Sequence, residues 1–167
     1  MPGYTIHLAV GKIYSKNNEI QNIESFIKGI IAPDQAEDKK LSHYGPYSSK
    51  PNLQKYINEN KLSNSFNEGY FLHLLTDELF YNKYLKKWSK SIYEDYDKLN
   101  KRIIEKYEIS IPKEIQKDIG YKEGKLDILD EKTLYKFIEN VGKIDIRSII
   151  KNSKQHNQNI QTYLERN

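Results

Sequence analysis

Apolar residues recur at helical spacing along almost the whole chain, and that period makes an all-α fold the expectation. In residues 4–16, Ile6, Val10, Ile13 and Tyr14 share one stripe. In "NIESFIKGII" (22–31), Ile23, Phe26, Ile27 and Ile30 do the same, with Asn22 placed to cap them. Ile92, Tyr96, Leu99, Ile103 and Ile104 repeat the pattern between Ser91 and Tyr107. No internal repeat, coiled coil or paired strand pattern interrupts it. At 167 residues the chain suits a single helical domain of unequal helices over 1–167.

Punctuation sets the expected boundaries. Pro33 disfavours the helical region at the residue before it, so the second helix should end by Ala32. Residues 33–51, "PDQAEDKKLSHYGPYSSKP", read as a long loop, and loops of that length are often functional. A short helix should start at Pro51 and run to Asn60. A long one should open at Asn64 or Ser65 and reach about Lys87. Further helices are expected near Pro112, from Glu131 to Val141 under an Asp130 cap, and from about Ile146 to Leu164.

The long helix carries "GYFLHLLTDELF" (69–80), where His73 and Asp77 interrupt an apolar run four places apart. Residues at that spacing share a face, with Cβ atoms about 6 Å apart. An imidazole and a carboxylate so placed can grip one metal ion, or can form a hydrogen-bonded core pair. Three other polar residues stand in the first half of the chain: His7 among apolar neighbours, Asp34 after Pro33, and His43 later in the loop. Each also has a plain reading, as a core histidine, a turn residue and an exposed loop histidine. His156, in the polar "SKQHNQN", reads as exposed.

Composition narrows the chemistry. There are no cysteines, so disulfides and thiolate metal sites are excluded, and a zinc ion must be held by histidine and carboxylate. The net charge is +4, with lysine and glutamate interspersed and arginine only at 102, 147 and 166, which reads as a solvated helical surface. Fourteen tyrosines make a core rich in Ile, Leu and Tyr the expectation. No basic-then-apolar leader and no membrane-spanning run is visible, so a cytoplasmic location is expected. There is no His-Glu-x-x-His and no adjacent His-Asp pair, so those hydrolase signatures are absent.

"MPGYTIH", "IAPDQAEDKKLSHY" (31–44) and "GYFLHLLTDELF" together resemble the zinc-dependent phospholipase C family, a helical superfamily shared with the single-strand-specific zinc nucleases. The resemblance spans roughly residues 1–85, and residues 86–167 carry no motif that matches it. It implies that Asp34, His43, His73 and Asp77 surround one zinc, that His7 serves a second, and that Asp77 bridges the two. Secreted members also use their mature N-terminus as a ligand, which here would be Pro2 after loss of Met1. Three-metal members carry further ligands downstream, whereas after His73 this chain has only His156, so one or two ions are implied.

The function that follows is a zinc-dependent hydrolase of an undefined phosphoester, acting through a metal-activated water, with Asp34 as weak ligand or general base. Two alternatives stand beside it. One is a non-catalytic helical protein with a closed structural metal site at the same four ligands. The other is a basic helical nucleic-acid binder, which strong salt dependence would mark.

Overall fold

Two helices of this chain are buried on nearly every side, and they sit at its centre. In the computed structural model, which describes residues 3–166, α1 (Tyr4–Asn17) is buried without interruption from Thr5 to Gly11. The same holds for α5 (Ser65–Leu79) from Phe71 to Asp77. Helices buried around most of their circumference belong inside a bundle. Around them lie α2 (Ile23–Gln35), α3 (Lys39–His43), α4 (Leu53–Glu59), α6 (Ile92–Tyr107), α7 (Glu131–Gly142), α8 (Ile146–Gln155) and α9 (Ile160–Arg166). No strand occurs among the described residues, and Tyr47 and Lys50 form an isolated bridge. The protein is all-α.

Its helices share one core of Ile, Leu and aromatic side chains, including buried Tyr14, Tyr56, Tyr96 and Tyr107. Asn22 and Asp130 cap α2 and α7 as the sequence suggests, accepting from the amides of Ser25 and Thr133. Among the described residues no helix is long and apolar enough to cross a membrane.

Several expected boundaries are corrected. α2 does not stop at Ala32; it carries Pro33 inside it and continues to Gln35. Proline removes an amide donor and usually breaks a helix interior, but only two residues follow it here. The carbonyls freed at this end are taken up locally: Ser42 Oγ donates to Pro33 O at 2.8 Å, and Lys39 Nζ donates to Asp34 O. The expected loop 33–51 contains α3, capped by Asp38 and ended by Tyr44 in the left-handed region at φ 62°. α4 begins after an Asn52 cap rather than at Pro51. α5 stops at Leu79 and passes into a π-helical turn, Phe80–Tyr84, instead of running to Lys87. The last expected helix is two, α8 and α9, separated near Asn157, whose φ is 49°.

Candidate metal centre

α2 and α5 touch backbone to backbone through two glycines. A Cβ on Gly29 would stand 2.1 Å from Phe66 O, and one on Gly69 would stand 2.1 Å from Phe26 O. A glycine inside a helix costs about 1 kcal/mol relative to alanine, so both positions give up helix stability for close approach. One turn beyond Gly69, His73 donates from Nδ1 to Ile30 O across this crossing at 2.6 Å. The continuation of α2 past Pro33 brings Asp34 level with His73 and Asp77.

Five side chains converge there: His7 from α1, Asp34 from α2, His43 from α3, and His73 and Asp77 from α5. None is more than 5% exposed. Asp77 Oδ2 lies 3.1 Å from His43 Nε2 and 3.2 Å from His73 Nε2, while its Oδ1 lies 3.1 Å from His7 Nε2. Asp34 Oδ1 is 3.4 Å from His73 Nε2 and 3.5 Å from His43 Nε2. Asp34 Oδ2 is 4.0 Å from His7 Nε2. The His7 ring stacks on the His73 ring, 3.5 Å between centroids and 4° between planes. These atoms touch, yet none of the three Nε2 atoms or four carboxylate oxygens finds a partner in hydrogen-bond geometry. Buried polar atoms are nearly always hydrogen-bonded, so a cluster of orphans calls for an explanation.

The outward nitrogens supply one. His73 Nδ1 is spent on Ile30 O, and His43 Nδ1 approaches Lys39 O at 2.8 Å and Ser42 Oγ at 3.0 Å. A carbonyl acceptor fixes the proton on Nδ1 and leaves the Nε2 lone pair pointing inward, the arrangement that orients metal-ligating histidines. Ser42 in turn donates to Pro33 O, and Tyr70 OH donates to Ser42 O, so α3 is tied to both α2 and α5. Two ligand sets emerge, His7–His73–Asp77 and Asp34–His43–His73, with the donor atoms of each within 4.8 Å of one another.

Without an ion, the two carboxylates favour a proton on the inward nitrogens of His73 and His43, which a metal ion would displace. Burial pulls the His73 pKa down, but Asp34 and Asp77 outweigh it and push it up to about 10. Burial also opposes charge on His43, and its contacts with Asp34 and Asp77 raise its pKa nonetheless. His7 moves the other way, lowered by burial and by His73. Burial raises the Asp34 and Asp77 carboxyls, and His73 draws both below the usual carboxylate range. The two carboxylates are therefore anionic. Two imidazoliums balance that charge, and so does one divalent cation among neutral imidazoles. Three imidazole nitrogens with two carboxylates and no sulfur form a donor set that zinc accepts, as do other first-row divalent metals.

All five candidate residues are thus brought together, and His43 is a buried helix-end residue rather than an exposed loop histidine. His156 is exposed at the end of α8 and takes no part. Pro2 lies outside the described residues. Sequence reading passed over Gly29 and Gly69, although a glycine inside an apolar helical stripe is itself a sign of close packing. Spacing places Tyr96 of α6 in an apolar stripe and does not announce its polar tip. That hydroxyl is buried without a hydrogen-bond partner among the described residues, and burial, Tyr93, Asp77 and Asp34 all raise its pKa. No family model, curated protein or solved structure matches the chain.

Proposed function

We propose that this chain is a metal-dependent phosphoester hydrolase, arranged like the zinc-dependent phospholipase C family its first half resembles. One observation carries the reading: three inward Nε2 atoms and two carboxylates, delivered by four separate helices, meet with no hydrogen bonds to satisfy them. Asp34, His43, His73 and Asp77 would hold one ion; His7 and the second oxygen of Asp77 would serve another. When bound, a zinc-like ion supplies Lewis acidity toward a phosphoryl oxygen and acidifies water toward neutral pH.

The chain's own residues do the remaining work. The carbonyls of Ile30 and Lys39 orient two of the imidazoles toward the centre. Asp77 presents its two oxygens to opposite sides of the cluster. Asp34 is anionic and within reach of the same centre, placed to ligate or to accept the proton of the attacking water.

The burial of all five residues favours a second reading, in which a closed ion serves folding only, because catalysis needs an open position. Elemental analysis beside a panel of phosphomonoesters, phosphodiesters and phospholipids separates the two. The hydrolase reading expects turnover that a chelator and Asp77→Ala both abolish. In Asp34→Asn, metal retained with turnover down about 10²–10⁴-fold assigns a base, and joint loss of metal and turnover assigns a ligand. A fully metallated protein with no Asp77-dependent turnover is a structural metalloprotein.

A further inference from the structure

A cleft of about 480 Å³ lies where the chain leaves two of the proposed ligands. One wall is the loop after His43, with Ser48, Ser49 and Lys50. The other is the π-helical turn and the segment after Asp77, with Tyr81, Lys86, Lys87 and Trp88. Asn82 Nδ2 donates to Ser49 O at 3.4 Å and joins the walls, while Asn52 N donates to His43 O at 3.2 Å and folds the loop back on its own ligand. π-helical turns concentrate at functional sites.

The lining has a definite chemistry. Lys50, Lys86 and Lys87 line the cleft, and no carboxylate does among the described residues. Trp88 and Tyr93 stand 55% and 47% exposed, edge to face at 6.5 Å, so ring surface is open to a guest. The Tyr81 hydroxyl is buried without a hydrogen-bond partner among the described residues. Lysines beside open aromatic faces suit a ligand that combines phosphate with a planar ring. The cleft also falls in the usual size range for small-molecule sites.

We propose that this cleft binds a nucleoside phosphate, the lysines taking the phosphates and Trp88 with Tyr93 taking the base. A bilayer surface is the rival ligand for the same lysines and rings, and the test below separates the two. The role of the cleft as a substrate subsite rests on the hydrolase reading; its binding chemistry does not.

Trp88 is the chain's one tryptophan, so its fluorescence reports on this cleft alone. The test titrates ADP into the full chain with a chelator present. Saturable quenching is expected, and inorganic pyrophosphate should displace ADP without quenching. Lys86→Ala/Lys87→Ala, at two exposed positions, should weaken ADP by about ten-fold or more, the loss typical of a charge-assisted contact. The proposal is overturned by absence of saturable quenching into the millimolar range, by equal quenching with pyrophosphate, or by indifference to the double substitution. Quenching that the chelator abolishes would move the nucleotide to the metal centre, and a larger response to phosphatidylglycerol vesicles than to ADP would make the cleft a lipid surface; either overturns it. ADP binding without any phosphoester turnover leaves the cleft standing and removes the hydrolase reading.

Discussion

Asp77 and Asp95 are both fully buried carboxylates, one on α5 and the other on α6, and their surroundings are opposite. Asp95 accepts three backbone amides, from Asp127, Ile128 and Leu129, at 2.8, 2.7 and 2.9 Å. These bonds pin the segment before α7 to the start of α6. Asp77 accepts none and faces three imidazole nitrogens instead. A buried carboxylate is costly unless its lone pairs are used. Asp95 uses them to hold the fold, whereas Asp77 keeps them for something other than the backbone. Glu68 sides with Asp95, since Arg147 grips it at 2.7 and 3.0 Å and Tyr14 donates to it as well. Burial of a charge thus says little about role until its partners are counted.

The sharpest way to break the contrast is to remove each carboxylate in turn. Asp77→Ala should abolish metal binding, taking the ion content from one or two per chain to near zero by elemental analysis. Asp95→Ala should leave metal content untouched. Equal ion content in wild type and Asp77→Ala would collapse the distinction.

Stability should reverse the order of dependence. Asp95→Ala strands the buried Leu129 amide and leaves the part-buried amides of Asp127 and Ile128 to water; an unsatisfied buried group costs about 1–3 kcal/mol, so a loss of about that size is expected in urea unfolding. Chelator should not change that loss. In the wild type, by contrast, chelator should lower stability and release hydrogen-exchange protection across residues 35–50, because ligands from separate segments couple metal binding to folding. Protection there that is unchanged by chelator would count against the centre.

How these two carboxylates differ was only half legible in the sequence. Helical period and residue type marked His7, Asp34, His43, His73 and Asp77, because those residues stand out in apolar or proline-punctuated surroundings. The caps at Asn22 and Asp130 were legible because capping is local. Asp95 was not, since its partners lie more than thirty residues away and are backbone amides that no side chain announces. The extension of α2 past Pro33 was hidden for the same reason: its end carbonyls are satisfied by Ser42 and Lys39 of a helix within an expected loop. The π-helical turn after Leu79 and the break near Asn157 likewise leave no mark in periodicity.

Gly69→Ala tests whether the metal centre depends on the helix crossing beneath it. The added Cβ would meet Phe26 O at 2.1 Å, and both atoms belong to backbones that cannot rotate away. Overpacking of this kind costs about 1–3 kcal/mol. It should also lengthen the His73 Nδ1 bond to Ile30 O and loosen the centre, so metal affinity should fall by about ten-fold or more, the range seen when such supporting bonds are lost. A destabilised variant with unchanged metal affinity would show that the ligands are held by their own helices rather than by the crossing.

The smallest expected effect belongs to Asp130→Ala, at the cap of α7. Its carboxylate accepts the Thr133 amide at 3.0 Å, and removing such a cap costs about 1 kcal/mol. α7 packs against α1 at Gly142, where an added Cβ would meet Ile13 Cβ at 2.5 Å, and α1 carries His7. Fraying at the first turn of α7 leaves the contact with α1 intact, since Gly142 lies at the opposite end of that helix. Stability should therefore drop slightly while metal content and any turnover stay at wild-type levels. If the cap substitution lowers metal affinity as much as Gly69→Ala does, the two halves of the molecule are one cooperative unit, and the separation between Asp77 and Asp95 is one of chemistry and not of energetic region.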